Sequence, residues 1–506
     1  MNNAERVIVN TSAQYIRTII NLCLSLYSTR LILIALGVGD YGIYVLVAGT
    51  ISLLSFVVNA LVVTTQRYMS FYKGKNEFEK LKEVFCNSMF IHLTMGVVVA
   101  LIIEIIGMFL FDSFFNITLD RTSAAKFVFH CVTLMFLLSF LTAPFRALLI
   151  SHENIVYISF IDVLDGFLKL FIALVIASAQ IERLKLYAGL LCVIQVFNFF
   201  ALSIYDGIKY KECVFPRFRL FSVRYIKEIF TFASWTIYSV GCIVGRTQGV
   251  SLILNKFFSV AVNAAYGVAL QVNGALSFLS QSVMNAMNPQ IVKAEGAGDR
   301  NRMLRLAEIE SKFCFLLISM IVIPCIFEMP AILELWLSEV PEHTVMFCRF
   351  IVLSSMIDQL TIGLGTANQA IGKIREYSLA VNTVKVISLL PIVVVLFVKK
   401  NLIFVMSIYA LFELLCAILR LVFLKKTAGL SIIGYVRKVF LLEVVPVLSA
   451  VFVSIFSVTY FNFKFRFLLT ILLSICAVAL FTFMFGLYYD EKGFVRKIFH
   501  RVVKNA

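Results

Sequence analysis

Charged side chains are scarce in this chain. Asp, Glu, Lys and Arg make up 15% of its 506 residues, whereas a soluble domain carries about 25%. The hydrophobic fraction is 61% and the mean hydropathy is +0.94, which is too high for a single core in water. The composition therefore excludes an ordinary soluble protein and predicts a polytopic membrane protein.

The residues that usually build catalytic and metal sites are also sparse. The 11 cysteines are scattered without a Cys-x-x-Cys pair, and the 5 histidines lack metal-ligand spacing. No Gly-rich phosphate loop follows a strand, and no nucleophile motif occurs. We therefore expect no catalytic residue, no metal and no cofactor, and we do not expect an enzyme.

Long apolar blocks dominate what is present, and each is long enough to cross a bilayer as a helix. They predict an all-α polytopic membrane protein with about 14 transmembrane helices. The blocks cover residues 10–36, 41–64, 84–111, 127–149, 155–178, 186–206, 229–254, 260–288, 309–328, 345–371, 376–398, 402–424, 438–460 and 465–489.

The net charge of +16 could indicate nucleic-acid binding, but its distribution indicates a membrane. With the N-terminus inside, about two thirds of the 45 Lys and Arg fall in segments on the cytoplasmic side, as the positive-inside rule requires. We therefore expect cytoplasmic termini, a basic tail at 492–504 that lies on anionic lipid, and no nucleic-acid partner.

Polar residues form stripes at helical spacing on four of the predicted spans, namely one, five, eight and ten. On span one the stripe includes Asn10, Gln14, Arg17 and Asn21, and on span eight it includes Asn263, Ser277, Gln281 and Asn285. Such stripes either pack helix against helix or line a water-filled cavity. Their length and the charge of Arg17 favour a cavity. Pro289 is predicted to end span eight.

Isolated charges inside the spans are costly and are therefore candidates for function. Arg17 and Arg246 are predicted to bind an anionic group, because a guanidinium suits phosphate. Asp358 is expected either to take part in ion coupling or to pair with Arg349 or Lys385. Glu104 is expected to be protonated or paired across helices. Asp162 and Asp165 are expected to be structural with Lys169, Arg67 to be an anchor, and Glu153 is a candidate gate residue at the cytoplasmic rim.

The two halves of the chain share short matches, which predict an internal repeat. Tyr41-Gly42 corresponds to Tyr266-Gly267, and at that offset Arg246 falls opposite Asn21. Repeats that move about a central site are common among transporters. The predicted domains are a six-helix bundle at 1–206, a basic cytoplasmic linker at 207–228, a second bundle at 229–424, and two extra helices with a basic tail at 425–506.

Several segments resemble the polysaccharide and O-antigen flippases of the multidrug/oligosaccharidyl-lipid/polysaccharide (MOP) superfamily. The most specific are "MNPQIVK" followed by "GD" (287–299) and "LWLSEVPE" after span nine; "LGVGDYGIY" (36–44), "APFRALLISHENIVY" (143–157) and "QAIGKIREY" (369–377) are weaker. The resemblance implies two pseudo-symmetric six-helix bundles around a central cavity, plus two C-terminal helices.

The resemblance also implies a function in the bacterial inner membrane. Such proteins translocate undecaprenyl-diphosphate-linked oligosaccharides that are repeat units of O-antigen, capsule or exopolysaccharide, and serve lipopolysaccharide biosynthesis. The implied partners are that lipid-linked glycan, the bilayer, H⁺ or Na⁺ as coupling ion, and a polysaccharide polymerase and glycosyltransferases. Two alternatives stay open: a MATE-like drug or cation antiporter, and a membrane-embedded glycan polymerase or ligase.

Overall fold

The structure is a computed structural model that describes residues 3–52, 54–113, 117, 119–180, 182–214, 221–258, 260–337, 340–463, 465–488 and 491–492. The basic tail predicted to lie on lipid falls outside these residues, apart from its first residue. Within the described part the chain is almost entirely helical, as the apolar blocks predict, and contains no strand.

The helices follow one another with short connections, and each of the fourteen predicted blocks overlaps at least one of them. Their bounds are α1 (Asn3–Ser52), α2 (Ser55–Gly74), α3 (Phe78–Ser113), α4 (Leu119–Ser151), α5 (Ile155–Ser178), α6 (Arg183–Lys209), α7 (Val223–Phe257), α8 (Val260–Gly296), α9 (Arg300–Trp336), α10 (Thr344–Gln359), α11 (Ile362–Ile371), α12 (Ile374–Tyr377), α13 (Thr383–Ile387), α14 (Leu389–Val398), α15 (Leu402–Ala428), α16 (Ile432–Tyr435), α17 (Leu441–Tyr460) and α18 (Arg466–Phe481).

Several predicted spans are broken or merged in the structure. The first span and the beginning of the second run together in α1, which bends at Gly37, where φ is 76°, and the second span continues in α2. The tenth consists of α10 and α11, which are bent by 46°. Among the described residues nine helical stretches are long and apolar enough to cross a membrane, and the bent pair makes a tenth. Phenylalanines on their outer surfaces are largely exposed, such as Phe109, Phe171, Phe397 and Phe452, as expected for lipid-facing helices.

The prediction that Pro289 ends the eighth helix is wrong, because α8 continues through it to Gly296. A proline removes one backbone hydrogen bond, and tertiary packing can compensate for that loss in a membrane helix. The helix packs closely against α2 beyond the proline. The backbone of Lys293 lies against Gly74, and Gly296 lies against the backbone of Phe71, where no side chain would fit.

Two compact units make up the chain. The first comprises Met1–Val240 and Asn288–Asp299, and the second comprises Gly241–Met287 and Arg300–Ala506. The predicted domain boundaries at 206 and 424 follow the internal repeat and differ from this division into compact units. They remain a prediction.

In the first unit α1 packs along α5, while α4 contacts α2, α3 and α6. In the second unit α9 is central and contacts α10, α11, α17 and α18. The hydrophobic core of the second unit contains Tyr266. Its ring packs edge to face against that of Phe347, with 5.9 Å between the ring centroids. Arg466, at the start of α18, donates to both oxygens of the buried Glu328 on α9 at 2.9 and 3.0 Å. This charge pair fastens the C-terminal helices to the rest of the unit.

Candidate functional site

The first unit contains a charge cluster in which two arginines share one carboxylate. Arg17 on α1 donates to Asp162 Oδ2 at 2.7 Å, and Arg146 on α4 pairs with Asp162 Oδ1. The side chains of Arg17, Arg146 and Asp162 keep 24, 35 and 18% of their surface exposed. The cluster therefore carries one more positive than negative charge and is partly accessible.

The polar stripe of α1 continues on both sides of Arg17 and packs in part against α5. Asn21 donates to the backbone oxygen of Asp162 at 3.2 Å and lies against Gly166, while Gln14 is buried. The stripe that was predicted to line a cavity therefore also serves as a seam between two helices. Arg17 and Asn21 stay half-buried, and these are the two stripe residues that the structure brings to Asp162.

A neighbouring pair on α5 is electrically neutral. Asp165 accepts from Asn198 on α6 at 2.7 Å and pairs with Lys169 at 2.7 Å. This pairing is one helical turn in length, as the spacing of the two residues predicts. The surplus positive charge of the first unit's cluster is therefore not cancelled by Asp165.

The second unit contains a larger buried ion network that joins α7, α10, α13 and α15. Lys385 donates to Glu413 at 2.6 Å and to Asp358 at 3.1 Å. Arg420 donates to Asp358 Oδ1 at 2.7 Å, and Arg246 pairs with Glu413. Three cations face two carboxylates, so this cluster also carries one surplus positive charge.

The local fold explains how these side chains meet. A π-helical turn at Ser378–Asn382 precedes α13, and such turns often occur where a side chain is redirected at a functional position. Lys385 follows it within one turn. The guanidinium of Arg246 lies over the ring of Tyr409 at 3.5 Å and also donates to the Tyr409 backbone oxygen at 3.3 Å, a stacking that favours Arg over Lys.

A cavity of about 230 Å³ lies beside this network, inside the second unit. Arg246, Asp358, Lys385 and Glu413 line it together with uncharged polar side chains. These are Thr247, Asn273, Ser277, Ser354, Ser355 and Gln359. Of the predicted α8 residues, Ser277 therefore lines the cavity, whereas Gln281 is exposed and donates to Asn285 at 3.0 Å.

Glu104 and Arg349 lie apart from both clusters. Glu104 on α3 accepts from or donates to His130 Nδ1 on α4 at 2.9 Å, in an exposed pair. The predicted pairing of Glu104 across helices thus has a partner in His130. Arg349 donates to the backbone oxygen of Ile326 at 2.8 Å, so Lys385 and Arg420 are the cations at Asp358.

Glu153, the candidate gate residue, ties several elements of the first unit together at one end. Its φ is 59° and it is buried. Its carboxylate pairs with Lys293 and lies 3.4 Å from the Gln290 amide nitrogen, while Asn10 donates to its backbone oxygen at 2.8 Å. These contacts hold the end of α8 to the turn between α4 and α5.

His152 precedes Glu153 in the same turn, and its ring nitrogens contact Lys73 and Glu212. Burial lowers the pKa of His152, the bond to Glu212 opposes this shift, and the charge of Lys73 adds to it. Burial raises the pKa of Glu212, but the bond with His152, a backbone hydrogen bond and the charges of His152 and Lys73 together outweigh it, and the pKa falls. A neutral imidazole that accepts at Nδ1 and donates from Nε2 satisfies both neighbours.

Sequence reasoning missed Glu413, Arg420 and Arg146 as members of the clusters. Glu413 and Arg420 are the lone charges of the apolar run "LFELLCAILR" (411–420), so the cost of burying a charge could have selected them. Arg146 was attributed to a family motif only. Within the described residues no group of three or more His, Cys, Asp or Glu could hold a metal ion.

No family model and no curated protein sequence matches the chain. Solved structures do match it. A MATE protein in its straight conformation superimposes with a TM-score of 0.71 over 85% of this chain and 97% of that one, at 14% identity. The chain has the fold of MATE transporters. The MATE transporter ClbM in complex with Rb⁺ gives a TM-score of 0.68 at 13% identity, over 86% of this chain and 96% of that one.

A third solved structure shares this fold. It is a MOP transporter from Pyrococcus furiosus, described as having a binding pocket of reverse polarity that suggests a different function. Its TM-score is 0.68 at 13% identity, over 85% of this chain and 96% of that one. The fold is that of a multi-pass membrane transporter. The matched structures are transporters, and at 13–14% identity they are evidence for the fold of this chain.

Proposed function

We propose that this protein is a flippase that translocates an undecaprenyl-diphosphate-linked oligosaccharide across the bacterial inner membrane by alternating access, with both termini in the cytoplasm. The fold supplies the transporter architecture, and the resemblance in sequence supplies the class of cargo. The observation that carries the proposal is electrostatic. Each unit contains a polar cluster with one more cation than carboxylates.

The cluster of Arg17, Arg146 and Asp162 suits the diphosphate of such a lipid. Two guanidinium groups offer forked donors, of which Asp162 occupies only some. Both arginines retain exposed surface, so an anion can approach them without first breaking the buried structure. Asp162 holds the two cations in place when no anion is bound, and its charge limits how tightly the cargo is retained.

Charge also separates this proposal from the second candidate, a drug or cation antiporter. The matched MATE proteins favour that candidate, since one is described as a multidrug resistance transporter and another contains Rb⁺. A protein that exports organic cations needs carboxylates in excess at its binding site. In both clusters described above the excess has the opposite sign, and the carboxylates Asp358 and Glu413 already accept from resident cations.

Energy coupling enters the proposal only in part. H⁺ or Na⁺ is the expected coupling ion, and Asp358 and Glu104 were the candidate sites. Asp358 accepts from both Lys385 and Arg420, which makes it a structural member of the network. We therefore assign the coupling ion to neither residue.

Complementation tests the proposed function. A strain that lacks this gene should recover its surface glycan with the wild-type gene and lose it again with Arg17→Ala, at unchanged protein abundance. Abundance should hold because Arg146 still neutralises Asp162. Arg17→Lys should restore part of the glycan, since a point charge replaces a forked donor. Normal glycan from Arg17→Ala, or resistance to cationic drugs without any glycan from the wild type, would contradict the proposal.

A further inference from the structure

The cavity in the second unit contains buried polar atoms that no neighbouring side chain satisfies. Among the described residues, Arg246 Nε, Asn273 Oδ1 and Gln359 Oε1 have no hydrogen-bond partner. Arg246 and Gln359 are 2 and 6% exposed. A buried donor or acceptor without a partner is costly. One donor and two acceptors on different helices therefore fit a ligand that both donates and accepts hydrogen bonds.

The uncharged lining narrows the chemistry of that ligand. Ser277, Ser354 and Ser355 add hydroxyl groups, each able to donate and accept. The same wall also has apolar surface, which comes from Ile243, Leu270, Ile351 and the ring of Tyr409. The wall therefore offers both hydroxyl groups and apolar surface, which suit the polar edge and the apolar face of a sugar ring. The arrangement is typical of recognition of a sugar ring.

The size of the cavity and the charge beside it further restrict the class of ligand. The cavity measures about 230 Å³, below the roughly 300–1,000 Å³ of sites for drug-sized ligands. It therefore accommodates about one monosaccharide unit, which can belong to a larger glycan. The ion network beside it carries three cations against two carboxylates. In a medium of low dielectric this surplus attracts an anionic group far more strongly than it would in water.

We propose that this cavity binds a single acidic sugar residue, with its carboxylate toward Arg246 and Lys385 and its hydroxyl groups on Asn273, Ser277 and Gln359. The proposal rests on the proposed function, because it names one residue of the translocated glycan. Within that function the cavity recognises one sugar residue of the glycan, while Arg17 and Arg146 of the first unit bind the diphosphate.

Binding of free sugars to the purified full-length protein tests the proposal. The probes are glucuronate, glucose, which lacks the carboxylate, and gluconate, which lacks the ring. Saturation-transfer NMR should show saturable binding of glucuronate and at least tenfold weaker binding of the other two. Equal binding of glucose, or no glucuronate signal, would overturn the acidic-sugar assignment.

Matched variants locate the binding. Asn273→Leu and Gln359→Leu should each weaken glucuronate binding about three- to tenfold, the loss expected for one hydrogen bond. Both should fold, since an apolar side chain replaces a polar one with an unsatisfied atom. Gln271→Leu, on the exposed surface of α8, should leave binding unchanged. Equal losses in all three variants would contradict the assignment to this cavity.

The two proposals fail separately. Translocation of a diphosphate-linked glycan without any glucuronate binding would refute the sugar site and leave the flippase standing. Glucuronate binding that depends on Asn273 and Gln359, without translocation of any lipid-linked glycan, would support the cavity and refute the flippase.

Discussion

Removing the carboxylate of Glu413 should destabilise the second unit more than any change to a surface ion pair. Glu413→Gln keeps the shape of the side chain but leaves Arg246, Lys385 and Arg420 facing Asp358 alone. The side chains of Arg246 and Glu413 are only 3 and 7% exposed. Breaking a buried ion pair of this kind costs about 3–5 kcal/mol. At roughly 2 °C per kcal/mol, the apparent melting temperature should fall by about 6–10 °C.

Which of two substitutions in this network is the more destabilising is a sharper prediction than the size of either effect. Arg246→Gln leaves two cations and two carboxylates, which balance, whereas Glu413→Gln leaves three cations and one carboxylate. Glu413→Gln should therefore be the more destabilising of the two, and the double variant should be more stable than Glu413→Gln alone. The control is Glu79→Gln, whose pair with Lys82 is 82% exposed on the acid side and contributes about 0–1 kcal/mol.

Thermal unfolding can be followed with a thiol-reactive dye on protein in one detergent at one scan rate, since membrane proteins often unfold irreversibly. The second unit supplies buried cysteines as reporters, namely Cys242, Cys314, Cys325, Cys348 and Cys416. A Glu413→Gln transition that shifts no more than the Glu79→Gln transition would refute the buried network. A larger fall in melting temperature for Arg246→Gln than for Glu413→Gln would refute the claim that the network carries one surplus positive charge.

Three further predictions concern other contacts. Gly74→Ala should lower protein abundance, because the added carbon meets a neighbouring backbone, while Gly189→Ala, in open space, should not; equal abundance would contradict the close packing. The pKa of His152 in the folded protein lies below its usual value of about 6.5. The contribution of His152 to the free energy of unfolding is therefore complete above about pH 6.5 and is lost as the pH falls below that value. The protection factors of amides around the turn, which correct for slower intrinsic exchange at low pH, should therefore fall from pH 7.5 to 5.5 in wild type but not in His152→Gln, and an identical fall in the variant would count against this. Arg466→Ala should leave Glu328 as an uncompensated buried charge and reduce folded protein, whereas Arg466→Lys should recover part of it; full yield of Arg466→Ala would disprove the fastening role.

The sequence predicted the helical class well, because membrane insertion imposes a strong and local pattern. Blocks of apolar residues and the stripe around Arg17 follow directly from the cost of exposing polar groups to lipid. Three charged members, Arg17, Arg246 and Asp358, were selected on that ground.

Partners were harder to predict, because they depend on which helices pack together. Asp162 is close to Lys169 in the sequence, yet its carboxylate accepts from Arg17 and Arg146 on two other helices. Glu413 meets Arg246, 167 residues away. Pro289 shows the opposite error, since its local preference to end a helix was outweighed by packing. Tertiary contacts of this kind leave no periodic trace in a single sequence.

The central claim is that the cargo is an anionic, lipid-linked glycan, and translocation in proteoliposomes tests it most directly. A fluorescent undecaprenyl-diphosphate-linked saccharide is placed in one leaflet, and its arrival in the other is measured by quenching. The protein should accelerate this transfer, and the double variant Arg17→Ala/Arg146→Ala, reconstituted at equal density, should lower the rate at least tenfold. No transfer of this lipid by the wild-type protein, together with uptake of a cationic dye such as ethidium, would contradict the account.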